Sequence, residues 1–404
     1  MQNAARFTVL FFALIAVVVV LVLWKKNDHK AARNELETRF GADVSINGDE
    51  FYLGCSSPAL TDLNELADLV ARVGKPTILD LTGAPALRSL SGIEKMPSLN
   101  SLVLIDCVAL VSAEGVSGHP GLSEIVLTDS VNFVETAAIR DLPRLTTLDF
   151  SGCTALTRFE GTGLPVLENL YLSRCESLSS LDITSLPTLR QLYVDGCGAL
   201  SALTGLAGLE RLTDLDVSNA TGLSGLPGVG NLGELIVLDI RNVEIGDFTG
   251  IAALPKLRIL RMGGQENIET LEPLAGLSSL RELHLEACPN FRSLKGMPPG
   301  ISQYAGFTHC PALVSLEGLE AATALEQLDL TGCAALAEID RVAALTDLVQ
   351  LSLVKCRQVK DIAAVEKLSR LAIVMLGGSG VIPASVESLD LANKEMILDF
   401  AVSD

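Results

Sequence analysis

The chain has 404 residues, with 30 Lys and Arg against 49 Asp and Glu, for a formal net charge of −19. That balance argues against a protein drawn to nucleic acid by bulk charge. Hydrophobic residues at 49% exclude a disordered chain, aromatics at 4% exclude a core of ring clusters, and nine cysteines are too dilute for a disulfide scaffold.

Residues 1–6 form a short tail. From Phe7 to Trp24 the chain carries no charge and is almost wholly apolar, long enough for a helix to cross a bilayer, with Trp24 at an interfacial position. No small-residue cleavage site precedes the basic cluster, so residues 7–24 read as an uncleaved signal anchor in preference to a removed signal peptide. Lys25, Lys26, Lys30 and Arg33 follow it, against Arg6 before it, which predicts a single-pass membrane protein with its body in the cytoplasm. Export behind the anchor, to a periplasmic or extracellular side, is the alternative. Residues 25–41 read as a charged linker, and the acidic body is expected to stand off anionic lipid.

Residues 42–75 read as an N-terminal cap. Asp43–Leu53 predicts a strand or hairpin around Asn47-Gly48, and Leu60, Leu63, Leu66, Leu69, Val70 and Val73 have the spacing of an amphipathic helix. A repeat then takes over. Leu99, Leu102, Leu104 and Cys107 set the pattern L-x-x-L-x-L-x-x-C, which returns at Leu145, Leu148, Phe150, Cys153, at Leu167, Leu170, Leu172, Cys175, and at Leu189, Leu192, Val194, Cys197. Its anchor runs through Ala84, Cys107, Ser130, Cys153, Cys175, Cys197, Ala220, Val243, Gln265, Cys288, Cys310, Cys333, Cys356 and Ser379, always 22 or 23 residues apart. A period this short holds one strand and one return segment.

At these residues the chain resembles the leucine-rich-repeat family, and segments such as Ile268–Leu280 resemble its short, internalin-like form. The resemblance covers about residues 76–391 and implies a solenoid, an α/β repeat horseshoe with a parallel β-sheet on its concave face, whose usual work is holding another protein there. Cys or Ala stands at most anchors where the family commonly has Asn. Ser302 and Ala305 replace expected leucines, which predicts a loose unit between Pro298 and Cys310.

The physics points the same way. The two leucines of each Leu-x-Leu share one face of a strand, so each unit has a dry and a wet face and must stack on its neighbours to bury the first. Return segments have room for only a turn or a short 3₁₀ helix. The repeats should fill residues 76–379 in about 14 units, with residues 380–404 as a C-terminal cap. There Val386, Leu389 and Leu391 suggest a last strand, and Glu395–Phe400 a segment folded over it.

The anchor cysteines invite a metal or redox reading, yet no Cys-x-x-Cys or nearby His completes a zinc shell, and the expected role is small buried packing in a reducing compartment. No catalytic elbow or phosphate-cradling loop occurs, so neither an enzyme nor a cofactor is expected. One alternative is a grafted acid–histidine site, Glu282, His284 and Glu286, on one strand face. The sequon at Asn219 sits at an anchor, where a glycan would clash with the stack.

Binding should show in the column at the centre of each strand. Tyr171 and Tyr193 fall there on adjacent units, surrounded by Asp149, Asp195, Asp214, Asp216 and Asp239, with Arg261 and His284 following and Tyr304 one column over. An aromatic body with a polar tip on a wet face is a usual hot spot. The expected function is therefore a membrane-anchored, non-enzymatic interaction scaffold that binds a basic protein or peptide, and neither a nucleic acid nor a small-molecule substrate.

Overall fold

The computed structural model describes residues 25–47, 50–386 and 397–400, and the chain divides into two compact units, Met1–Leu156 with Thr162–Val166 and Thr157–Gly161 with Leu167–Asp404. In the first unit, residues 25–40 are helical. This helix is not a free stalk: Ala32, Leu36 and Phe40 are buried, Arg33 donates to the Val44 carbonyl at 2.9 Å, and Asp28 accepts from Arg72. The charges that suggested a linker lie on its outer side. Asp43–Asn47 and Glu50–Gly54 pair antiparallel, and the second of them starts a parallel ladder that continues through Ile78–Asp80, Ser101–Val103, Glu124–Val126 and Thr147–Asp149. The helix Asn64–Val73 buries Leu66, Ala67, Leu69, Val70 and Val73, the face its apolar spacing predicts.

The second unit continues the pattern with Asn169–Tyr171, Gln191–Tyr193, Asp214–Asp216, Val237–Arg241, Ile259–Gly263, Glu282–Glu286, Tyr304–Thr308, Gln327–Asp329, Gln350–Ser352 and Ile373–Met375, all parallel and in register. Each middle leucine points inward, and Leu170, Leu192, Leu215, Leu238, Leu260 and Leu283 are buried in a continuous row. The last strand is Ile397–Asp399, paired with Ile373–Met375, while Val386 ends the helical turn Pro383–Val386. Of the closing strand expected at Val386, Leu389 and Leu391, only Val386 falls within the described residues, and it is helical.

Two further expectations are corrected. Several return segments are short 3₁₀ helices, such as Glu272–Leu274 and Leu319–Ala321, but Arg158–Glu160, Ser180–Asp182 and Leu203–Thr204 form a second, three-stranded parallel sheet. The unit around Ala305 is also not loose. Its strand pairs over five residues with the preceding one, and Phe307 fills what Ala305 leaves, stacked on Phe291 with ring centroids 5.7 Å apart.

The anchors close a tight turn. The residue before each has positive φ, whether Gly83, Gly152, Gly196 and Gly332 or Asp106, Asp129, Asn219 and His309. Glycine and the short polar residues tolerate this left-handed conformation best. Asn219 therefore occupies the turn position ahead of anchor Ala220, and its side chain is exposed, so a glycan there would not meet the stack.

At the anchors themselves, Cys107, Cys153, Cys197, Cys333 and Cys356 each donate Sγ–H to a carbonyl of the preceding unit, those of Leu81, Leu127, Leu172, Phe307 and Leu330, at 2.9–3.2 Å. Ser130 makes the equivalent bond to the Leu104 carbonyl at 2.8 Å. The nine cysteines are buried and unbridged. At these six anchors a small donor satisfies a buried backbone acceptor, which is why Ser can stand for Cys, whereas Ala84, Ala220 and Val243 only pack.

Candidate functional site

The wet face of the second unit's sheet carries three parallel rows. Register places Tyr171, Tyr193, Asp216, Asp239, Arg261, His284, Gly306 and Asp329 side by side in the middle row. Asp214 lies one row toward the strand starts, paired with Gln191, and Asp195 lies just beyond Tyr193. Asp149 belongs to the first unit, where its carboxylate accepts from the Ser151 amide at 2.7 Å and the Thr128 hydroxyl at 3.2 Å. Eight of the nine expected residues therefore lie in the second unit, seven on its strands and Asp195 in the turn after Tyr193.

Tyr171 and Tyr193 are half-buried neighbours with ring centroids 5.3 Å apart and planes tilted by 37°. The Tyr171 hydroxyl donates to Gln191 Oε1 at 2.7 Å. Burial, then the charge of Asp214, pushes the Tyr193 phenol up, so it stays protonated and available as a donor. Asp195 accepts from Ser173 Oγ. Burial is also the main reason that the Asp216 carboxyl lies above its usual range, with Asp239 and Asp195 adding to the rise against the pull of the Ser218 bonds. Among the described residues Asp195, Asp214 and Asp216 form no ion pair, so this stretch of the wet face is short of counter-charge.

Asp239 departs from expectation. Only 3% of its side chain is exposed, and Arg241 grips it with Nε at 2.9 Å from Oδ1 and Nη2 at 2.7 Å from Oδ2. It is a buried half of an ion pair and not a free acid on the wet face. Arg241, which the pattern did not single out, is its partner because residues two apart on a strand share a face. The Asp239 carboxylate in turn raises the Arg241 pKa.

His284 is half-buried, its ring stacked on Tyr304 with centroids 4.4 Å apart and its Nε2 3.4 Å from Glu282 Oε2. Burial lowers its pKa despite that carboxylate, so the ring is neutral at pH 7. Glu286 is exposed beyond it. Among the described residues no group of three or more His, Cys, Asp and Glu has the arrangement to hold a metal ion. Tyr304 leans along its own strand over Gly306, where a Cβ would sit 2.5 Å from its hydroxyl, and its hydroxyl lies 3.4 Å from Asp329. Burial, then the Asp329 charge, pushes its phenol up to about 12. Tyr52 does the same over Gly54, donating to Asp80 at 2.9 Å in the first unit. A polar pocket of about 330 Å³ opens over this part of the sheet, between Asp216 and Thr308.

No family model and no curated protein matches the sequence. Solved structures do match in fold. An internalin (inlF) from Listeria monocytogenes is 18% identical with a TM-score of 0.54, over 81% of this chain and 87% of that one. A leucine-rich-repeat protein from Leptospira interrogans is 18% identical with a TM-score of 0.51, over 85% of this chain and 97% of that one. With the repeat period, the anchored turns and the parallel ladders, these likenesses establish the class: the chain has the leucine-rich-repeat fold. Its form is the short, internalin-like one, with a donor at the anchor that is most often a thiol.

Proposed function

We propose that the chain is a non-enzymatic recognition scaffold that captures a basic protein or peptide on the wet face of the second unit's sheet. The observation that carries this reading is the Tyr171–Tyr193 pair, set in contact and bordered by Asp195, Asp214 and Asp216. Two half-exposed rings offer a large contact area at small entropic cost, and carboxylates short of counter-charge attract a Lys or Arg, whose cation also gains from the ring faces. The sign of the field supports a basic partner over nucleic acid, and no small-molecule substrate is implied.

The test starts with peptides selected from a random display library on the full chain in mild detergent. The selected peptides should be rich in Lys or Arg, and the double variant Tyr171→Ala/Tyr193→Ala should bind them at least about 2 kcal/mol more weakly, the scale of an interface hot spot. Equal binding by the variant would overturn the reading.

We also infer a membrane tether. The candidate anchor, residues 7–24, lies outside the described residues; among those described, no helix is long and apolar enough to cross a membrane. The reading rests on the uncharged run and on the basic residues that follow it, which favour a cytoplasmic body. Protease added to cells with a permeabilised outer envelope should leave the repeats intact. Their digestion would place them on the outer side.

A further inference from the structure

Along the middle row the field changes sign. Asp216 and Asp239 precede Arg261, and the pocket that opens there takes its walls from Asp216, Asp239, Arg241, Arg261, His284 and Tyr304. Its cations are not equivalent. Arg241 is consumed by Asp239, whose two oxygens are both engaged, so the buried aspartate has nothing left to offer the arginine in register with it on the next strand. On the other side His284 is neutral, held by Glu282 and Tyr304. Glu286 and Asp216 also face the pocket. Yet among the described residues Arg261 makes neither an ion pair nor a side-chain hydrogen bond, while its charge is felt by Tyr193 and His284 on either side.

A half-buried guanidinium with an idle planar fork is matched best by a carboxylate, which can take two parallel N–H donors. Three strand steps separate Tyr193 from Arg261. At 4.7–4.9 Å per step that is about 14 Å, close to the roughly 13 Å between residues i and i+4 of an extended peptide, whose side chains point the same way. We infer that the pocket takes up a carboxylate of the same partner whose basic side chain meets Tyr193 and Asp216, so that a basic residue and an acid four positions later are read together. The acid is an Asp or Glu side chain or the partner's own C-terminal carboxylate. This inference rests on the proposed peptide-binding role of the Tyr171–Tyr193 face.

Two random twelve-residue libraries distinguish the sources, one with an amidated end and one with a free C-terminus, each selected on the full chain in mild detergent. Peptides with Lys or Arg followed four positions on by Asp or Glu should emerge from both libraries if a side chain is read, whereas peptides whose Lys or Arg lies four positions before their own end should emerge from the free-ended library alone if the terminus is read. For a selected peptide, Arg261→Ala should weaken binding tenfold or more, whereas the amide counterpart of that peptide, Gln for Glu or Asn for Asp, should bind the wild type and the variant alike. Arg261→Lys, which keeps the charge without the fork, should fall between them and guards against a folding artefact. Peptides that depend on Tyr171 and Tyr193 but show no acid preference would overturn this inference and leave the scaffold reading standing. Failure to obtain any tyrosine-dependent peptide would overturn both.

Discussion

Between pH 9 and 12 the chain is expected to unfold, and replacing Cys107, Cys153, Cys333 and Cys356 together by Ser should move that transition to higher pH. Burial, the largest influence at all four, pushes the Cys107 thiol up to about 11 and the other three to about 12, from an ordinary value of 9.0. In the unfolded chain they ionise near that ordinary value. Below pH 9 both states keep the proton, so the thiols' contribution to stability is complete; above it the unfolded state alone loses protons, and the contribution disappears as pH climbs through the folded values. The loss is on the order of 3 to 4 kcal/mol per thiol once the folded value is passed, enough in sum to exceed the stability of an ordinary domain. Serine is a fair replacement because Ser130 already makes the anchor bond, and its hydroxyl does not ionise in this range. Circular dichroism against pH checks it. An unchanged transition in the four-serine variant would assign alkaline unfolding to other groups.

Phe307→Ala should cost about 3–5 kcal/mol. In this unit Ala305 contributes little volume at the first inward position, so Phe307, fully buried and stacked on Phe291, fills the space that a leucine pair fills elsewhere. Stacked repeats hold together through nearest-neighbour interfaces, so a cavity here weakens the coupling between the strands before Tyr304 and those after Thr308. A urea titration should show the midpoint falling and the transition broadening or splitting. A loss under about 1 kcal/mol would mean that neighbouring side chains collapse into the gap.

The ladder was legible because a period of 22 or 23 residues leaves room for little else, and because the inward leucines recur at strand spacing. The left-handed turn was not read, although its signal stands in the sequence as the Gly, Asp, Asn or His ahead of most anchors. The second sheet at Arg158–Thr204 left no such trace: its three strands come from return segments of two or three residues, too short for any period to show. The pairing of Ile397–Asp399 with Ile373–Met375 was not legible either, because three residues off the repeat period carry no pattern of their own. At the site, the tyrosine pair and the acids near Tyr193 followed directly from register. Asp239 did not, since burial of an acid depends on the arginine two residues on, and Asp-x-Arg on a single strand was the signal to weigh. The Tyr-x-Gly pairs, Tyr52 with Gly54 and Tyr304 with Gly306, were a second such signal, because a missing Cβ lets the ring lie along its strand.

Oxidative footprinting of the tyrosines, with and without a peptide selected on the full chain, tests the central claim most directly. Tyr171 and Tyr193 should become protected, while Tyr52, in the first unit and bonded to Asp80, keeps its rate as an internal control. Unchanged labelling of Tyr171 and Tyr193 under a saturating peptide would place the recognition surface elsewhere on the chain.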